Sequence, residues 1–235
     1  INYGAMQKHP KKYIGRWILS KAQKVIAVSN SNKHEIIKNG KVDKNKIYLS
    51  YNAINLNIPK SDDIKKEQIL TVGEINEETV LRKGLDRYII IARELPEIQF
   101  IHIGKWTNKR GEPCQHSIKK IRDIAPTNIK FLGFVKSSIL EKYYKESKIY
   151  LQLSRHEAFG LSVIEAMNYN CIPIVSNAFS LPEIIGKNGF VVKNKQHCID
   201  AIKESLNRPN TIDMKINPMF DIEYRRLFFQ RLLAK

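Results

Sequence analysis

Apolar residues along this chain follow two alternating rhythms. Tyr13, Ile14, Trp17, Ile18 and Leu19 recur at helical spacing and predict a helix within residues 11–23. Lys24-Val25-Ile26-Ala27-Val28-Ser29 reads as a short buried strand. Ser29, Asn30 and Ser31 are N-cap residue types, and a helix over Lys33–Lys38 follows, stopped by Asn39-Gly40. Ile47-Tyr48-Leu49-Ser50 is the next strand. A polar stretch, 55–67, carries Pro59 and reads as a linker. The rhythm then resumes, with strands over Gln68–Gly73, Ile98–Gly104, Ile129–Gly133, Ile149–Leu153, Cys171–Val175 and Gly189–Val192. Between and after them, helices are predicted over 85–94, 113–124, 137–146, the residues after Gly160, 181–185, 195–206 and 222–233, with a loop over 105–112. Strands alternating with helices imply an α/β fold, a doubly wound parallel sheet covered on both faces. Three strands end in glycine, Gly73, Gly104 and Gly133, at the edge where a ligand approaches such a sheet.

The chemistry gathers around Ser154-Arg155-His156-Glu157-Ala158-Phe159-Gly160-Leu161-Ser162-Val163-Ile164-Glu165. A strand precedes it and a strand follows it, so it forms the turn and helix of one βαβ unit. Gly160 lets backbone approach a ligand closely, and the N–H groups of Gly160, Leu161 and Ser162 would face an anion at the helix N-terminus. Glu157 lies before the helix and Glu165 one turn inside it, on the face of Leu161. An ionised carboxylate only accepts hydrogen bonds and suits a vicinal diol. One glutamate for a sugar, one for a ribose and a diphosphate between them describe a nucleotide-sugar. An ordinary amphipathic helix with an acidic first turn accounts for the same residues.

Composition narrows the classes. The 235 residues are 43% hydrophobic, enough for one large or two small globular domains. The densest apolar run, Tyr88–Ala92, is far too short to span a bilayer, and no signal peptide is visible. Residues 1–52 read α, β, α, β, like the tail of a doubly wound domain; with Ile rather than Met at position 1, a trimmed chain is expected. Cys114, Cys171 and Cys198 are odd in number and widely spaced, which fits a reducing cytoplasm better than a disulfide framework. Cys114, His116 and His102 match no common zinc spacing, and no metal site is expected. The formal net charge is +17. It concentrates in residues 1–46, where eleven lysines and arginines face only Glu35 and Asp43. Such a face invites a phosphorylated substrate or an anionic membrane, while a lysine-rich solvated surface is the plainer reading. No nucleic-acid motif, no G-x-G-x-x-G and no P-loop is present, and His156-Glu157 lacks the second histidine of a zinc protease.

These residues, in order, resemble glycosyltransferase family 4, the retaining group 1 glycosyltransferases of GT-B fold. The matching pieces are Val25–Ser29, Tyr51–Ile54, Val72-Gly73 with Arg82-Lys83-Gly84, Phe131–Val135, Glu157–Leu161 through Glu165-Ala166-Met167, Leu181–Ile185 and Gly189-Phe190. The resemblance implies two Rossmann-like domains around a cleft. Residues 1–54 would end the acceptor-side domain, 55–67 link, 68–210 bind the donor, and 211–235 supply a closing helix. It also implies roles. Glu157 and Lys83 are the catalytic candidates, the first bonding donor-sugar hydroxyls and the second the diphosphate. Glu165 would bond the ribose, and Phe134 and Val135 would frame the base. Arg82, Gly73, Phe159, Gly160, Leu161 and Ser162 complete the expected donor pocket.

One departure stands out. The family often places an arginine after the strand glycine, where this chain has Glu74. Arg82 is the candidate replacement, since a guanidinium suits a diphosphate. No cofactor is expected beyond the nucleoside-diphosphate sugar itself. The resemblance implies a metal-independent, retaining hexosyl transfer to a lipid-linked or polysaccharide glycan, by a cytoplasmic enzyme with peripheral contact at the inner membrane face. Two other readings share the features: a non-catalytic nucleotide-sugar or anion-binding module, and a same-fold nucleotide-sugar epimerase.

Overall fold

The computed structural model describes residues 11–56, 64–76, 79–108, 112–113, 115–209 and 214–234. Most of the linker, Cys114 and the side chain of His116 lie outside the described residues.

Two units are visible. The first begins with α1 (Lys11–Lys21), β1 (Val25–Ala27), α2 (Asn30–Gly40) and β2 (Ile47–Leu49). β1 and β2 pair in parallel, Val25 beside Ile47. Leu19, Val25, Ala27, Ile36, Val42 and Ile47 form its small core. Helix α2 is longer than the apolar pattern suggests, because the Ser29 hydroxyl accepts from the Asn32 N–H and starts the helix at Asn30.

The second unit contains β3 (Lys66–Val72), β4 (Ile75–Asn76), α3 (Thr79–Arg82), α4 (Leu85–Glu94), β5 (Gln99–Ile103), β6 (Trp106–Thr107), α5 (Gln115–Ile124) and β7 (Ile129–Gly133). It continues with α6 (Ser137–Glu146), β8 (Ser147–Gln152), α7 (Leu161–Asn168), β9 (Ile172–Ser176), α8 (Leu181–Ile185), β10 (Phe190–Val192), α9 (Lys195–Asn207) and α10 (Ile222–Leu233). Six strands form one parallel sheet in the order β10-β9-β8-β3-β5-β7. Read from the other edge this is 3-2-1-4-5-6, the order of a doubly wound sheet, the class that the alternating pattern predicts.

Neighbouring residues on each strand feed opposite cores. Ile69, Phe100, Ile149 and Ile174 face α4 and α9, while Leu70, Ile101, Tyr150 and Val175 face α6, α7 and α8. Two buried lysines close helix ends. Lys65 Nζ donates to the carbonyls of Tyr144 and Tyr169, at 3.0 and 2.5 Å, and Lys148 Nζ to that of Leu206, at 2.7 Å.

Two expected stretches differ. Strand β3 opens at Lys66 rather than Gln68, because Lys66 reaches Ser147 across an irregular register. The loop expected over 105–112 contains β6, which pairs with β4 beyond the main sheet.

The units meet along a seam. The backbone of Ile54 bridges Asp221, Arg225 donates to Asn52 Oδ1 at 2.9 Å, and Lys24 Nζ donates to the Leu232 carbonyl at 2.6 Å. Helix α10 thereby packs back on the first unit.

Candidate active site at the carboxyl edge of the sheet

The order of the strands reverses between β3 and β8, and in open parallel sheets the crevice beyond that point receives ligands. Strand β3 runs out at Gly73. A side chain added there would meet open space, so the backbone is accessible from the crevice. Strands β5 and β7 end beside it: Gly104 N–H donates to the Gly133 carbonyl at 2.9 Å. A Cβ on Gly104 would sit 1.9 Å from the Gly73 oxygen, a spacing only glycine permits.

Strand β8 leads to the loop bearing Glu157. Lys83, at the end of the α3 turn, meets it: Nζ lies 2.7 Å from Glu157 Oε2, and both side chains are largely buried. The approach depends on Gly84. Its φ is +72°, and a Cβ there would come within 2.0 Å of the Leu153 carbonyl. Arg155 ties the same two loops together. It grips Asp86 with two bonds of 2.7 Å, and its N–H donates to the Arg82 carbonyl at 2.8 Å. This pairing lowers the Asp86 pKa. Arg82 extends toward the loop, with Nη1 3.5 Å from the His156 carbonyl.

Helix α7 starts after Gly160, whose φ is +104°. Leu161 is exposed at its tip, and Ser162 Oγ lies 2.8 Å from the Tyr150 hydroxyl. Glu165 Oε2 accepts from the Tyr144 hydroxyl at 2.8 Å. Tyr144 is itself buried and stacked on Tyr169, and burial raises its pKa, so it remains a donor. Phe134 is 71% exposed, with Lys105 Nζ 4.9 Å above its ring, and Val135 is partly buried below.

The structure therefore brings Glu157, Lys83, Arg82, Gly160, Ser162 and Glu165 to one edge, with Gly73 and Phe134 at neighbouring strand ends. Phe159 does not line the crevice with its ring. It is 3% exposed and packs between Tyr51 and Phe220, at 6.0 and 5.7 Å. Glu74, in the place of the family arginine, accepts from Thr107 Oγ1 at 2.8 Å. Tyr144, Arg155 and Asp86 carry no local motif, and nothing in the sequence marks them as supports.

Across the crevice edge the first unit presents polar groups. Glu183 accepts from the Tyr51 hydroxyl at 2.6 Å, the Asn30 amide side chain at 2.7 Å and the Asn30 N–H at 3.0 Å. Ser29 Oγ donates to the Ala158 carbonyl, and His156 Nε2 lies 3.4 Å from Glu35 Oε1. In the sequence Leu181-Pro182-Glu183 stands out only as a motif; the distance of 132 residues between Tyr51 and Glu183 hides their contact.

Comparison with known proteins agrees with this architecture. The chain is 30% identical over 194 residues to an uncharacterized 41.2 kDa protein in the cps region of Klebsiella pneumoniae, covering 77% of this chain and 50% of that one. It is 27% identical over 136 residues to the alpha-galactosylglucosyldiacylglycerol synthase of Streptococcus pneumoniae, covering 57% of this chain and 36% of that one. This chain thus spans half or less of the length of these relatives. Among solved structures, Anabaena HepE in complex with UDP and glucose superposes with a TM-score of 0.80 at 19% identity, over 95% of this chain and 66% of that one. Sucrose-phosphate synthase from Thermosynechococcus elongatus does so with a TM-score of 0.78 at 18% identity, over 99% and 64%. The family model for glycosyl transferases group 1 matches residues 54–216, which hold the whole six-stranded sheet and every residue of the Lys83–Glu157 edge. The chain belongs to the glycosyl transferases group 1 family.

Proposed function

We propose that this chain is the donor-holding part of a retaining glycosyltransferase that takes a hexosyl group from a nucleoside-diphosphate sugar. The observation that carries the reading is the Lys83–Glu157 pair, 2.7 Å apart at the sheet's switch point beside the α7 N-terminus. That edge offers a cation for a diphosphate, free N–H groups, and two carboxylates placed for diols on either side. The neighbour solved with UDP and glucose, and the same protein solved with UDP-glucose, support a nucleotide-sugar as the ligand class.

In this mechanism the anomeric carbon–oxygen bond to the diphosphate breaks while the acceptor oxygen bonds the same face of that carbon. The acceptor proton passes to the departing diphosphate oxygen. Lys83, Arg82 and the N–H groups at Gly160–Ser162 stabilise the charge that develops there, and no metal is required. Arg82 takes over the charge that Glu74 lacks. Glu157 orients sugar hydroxyls, Glu165 accepts from the ribose, and Phe134 and Val135 border the base. Before donor binds, Lys83 and Glu157 neutralise each other; the diphosphate then competes for the ammonium and frees the carboxylate for the sugar.

The acceptor in this reading is a lipid-linked or polysaccharide glycan, reached at a membrane. The exposed Tyr13, Ile14, Trp17 and Ile18 on α1, with the exposed Lys21 at its end, support peripheral contact with an anionic surface. No helix among the described residues is long and apolar enough to cross a bilayer. The test is a panel of nucleotide-sugars offered to the full-length protein with candidate acceptors, following diphosphate release and the product's anomeric configuration by NMR. Retained configuration supports the reading. Inversion, or undiminished turnover by Lys83→Ala and Glu157→Ala, refutes it.

A further inference from the structure

Behind the loop that carries Glu157, on the α4 and α9 side of the sheet, lies a second cavity of about 240 Å³. It opens at the carboxyl ends of β8, β9 and β10 and shares only Leu153 with the donor edge. Ile91, Val192 and Cys198, all buried, give it an apolar floor, and the half-exposed Ile90 stands at its mouth. Its rim carries three cations, Arg87, Lys193 and Lys195. Lys195 is bonded to Glu94 at 2.7 Å. Arg87 and Lys193 have no carboxylate partner among the described residues, and the one polar contact of Arg87 is a long 3.5 Å approach to the Leu153 carbonyl. Asp86, the nearest acid in sequence to Arg87, is taken by Arg155.

We infer that this cavity binds a compact phosphate monoester. Two uncommitted cations on a rim select an anion, and phosphate offers the most acceptor oxygens to such a pair. The apolar floor selects a short carbon skeleton attached to it. The volume falls below the roughly 300–1,000 Å³ of pockets for drug-sized ligands, so the ester is no larger than a sugar phosphate. The site is separate from the donor pocket. Lys83 and Glu157 lie on the other side of Leu153, whose carbonyl faces Gly84 as well as Arg87. Occupancy therefore presses on the strand end from which the Glu157 loop hangs. Donor and ester affinities change each other by one reciprocal factor. That coupling rests on the donor reading; ester binding does not.

The probe is a hexose 6-phosphate titrated into the full chain by calorimetry, with inorganic phosphate in a parallel arm. The ester binds at one saturable site and inorganic phosphate binds the same site more weakly. Arg87→Ala with Lys193→Ala weakens the ester at least tenfold. Ile90→Trp, which fills the cavity and keeps its charges, weakens it likewise. Lys83→Ala leaves ester affinity within about twofold. All of these side chains are at least partly exposed, and melting curves verify that each variant folds. Absence of saturable heat overturns the proposal. So does undiminished binding by either cavity variant, and loss confined to Lys83→Ala places the ester in the donor pocket instead.

Discussion

The six-stranded unit and the seam beside it are held by different proportions of apolar and polar contact. The sheet is held by layers of Ile, Leu, Val and aromatic side chains, many wholly buried on both faces. The seam adds polar bonds, Glu183 with Asn30 and Tyr51, Ser29 with Ala158 and His156 with Glu35, to a narrower apolar contact in which Val28, Leu49 and Tyr51 pack against the core that holds Phe159 and Phe220. Dense apolar packing fixes geometry, because any displacement opens voids. Polar contacts between units are readily exchanged for water, and such interfaces permit relative motion. The residues that need fixed geometry, Lys83, Glu157 and Glu165, all hang from the sheet. The first unit, which in the proposed reaction borders the acceptor, is joined by a smaller and more polar contact.

The largest expected effect tests the sheet side. Lys83→Ala removes the cation from the switch point and should lower kcat by about a hundred- to a thousand-fold, roughly 3–4 kcal/mol, once donor and acceptor are identified. It also leaves Glu157 without its 2.7 Å partner. A Lys83→Ala enzyme within threefold of wild type would remove this edge from the chemistry.

A second prediction concerns the rigidity of the sheet. His102 on β5 is buried against Trp106 and Phe131, and its Nδ1 has no hydrogen-bond partner. Burial pushes its pKa down to about 4 from the ordinary 6.5. Below pH 6.5 the unfolded chain takes up a proton that the folded one refuses until about pH 4. Stability from this group is therefore complete above pH 6.5 and declines as pH falls through that window, by about 1.4 kcal/mol per unit and roughly 3 kcal/mol in all. Chemical denaturation at a series of pH values should show this slope in wild type and a flatter one in His102→Phe. Equal slopes would mean that His102 is protonated or hydrated in the folded protein.

How much of this was legible in the sequence follows from the range of each signal. Strand and helix order is written in local periodicity, and it led to the doubly wound sheet. Glu157, Gly160 and Glu165 share one turn and helix, so spacing alone could group them. Lys83 and Arg82 join them only through the family resemblance, because 74 residues separate Lys83 from Glu157. The supports were invisible. Tyr144 is one of two adjacent tyrosines in α6, and nothing local tells that its hydroxyl meets Glu165. Phe159 shows the opposite limit: its place in the motif suggested the pocket, whereas its bulk sends the ring into the seam. Element ends shifted where a tertiary partner decided them, as with Lys66 beside Ser147.

The seam side is tested by Glu183→Ala. It removes one carboxylate that accepts from Tyr51 and twice from Asn30, and the expected cost is about 1–3 kcal/mol, since hydrogen bonds to charged groups are worth that much. In a chain of this size that is roughly 2–4 °C of melting temperature per kcal/mol. The loss should be local. Amides of residues 25–51 should exchange faster, while those of β3 and β8 keep their protection. Uniform acceleration across both units would show that the seam is part of one cooperative core.

The smallest effect asks how the sheet side keeps its precision. Asp86→Asn breaks the fork with Arg155, and both side chains are more than a third exposed or close to it. Exposed pairs contribute about 0–1 kcal/mol, so the melting temperature should barely move. Yet Arg155 also holds the Leu81 and Arg82 carbonyls, at 2.5 and 2.8 Å, directly before Lys83. Loosening it should misplace the ammonium in the free enzyme and raise the donor KM by up to about fivefold with kcat nearly unchanged, about 1 kcal/mol. Because the pair is exposed, raised salt weakens it in wild type as well, and the two enzymes should converge as ionic strength increases. A KM difference that persists at high salt would mean that Asp86 positions Lys83 through hydrogen-bond geometry rather than charge.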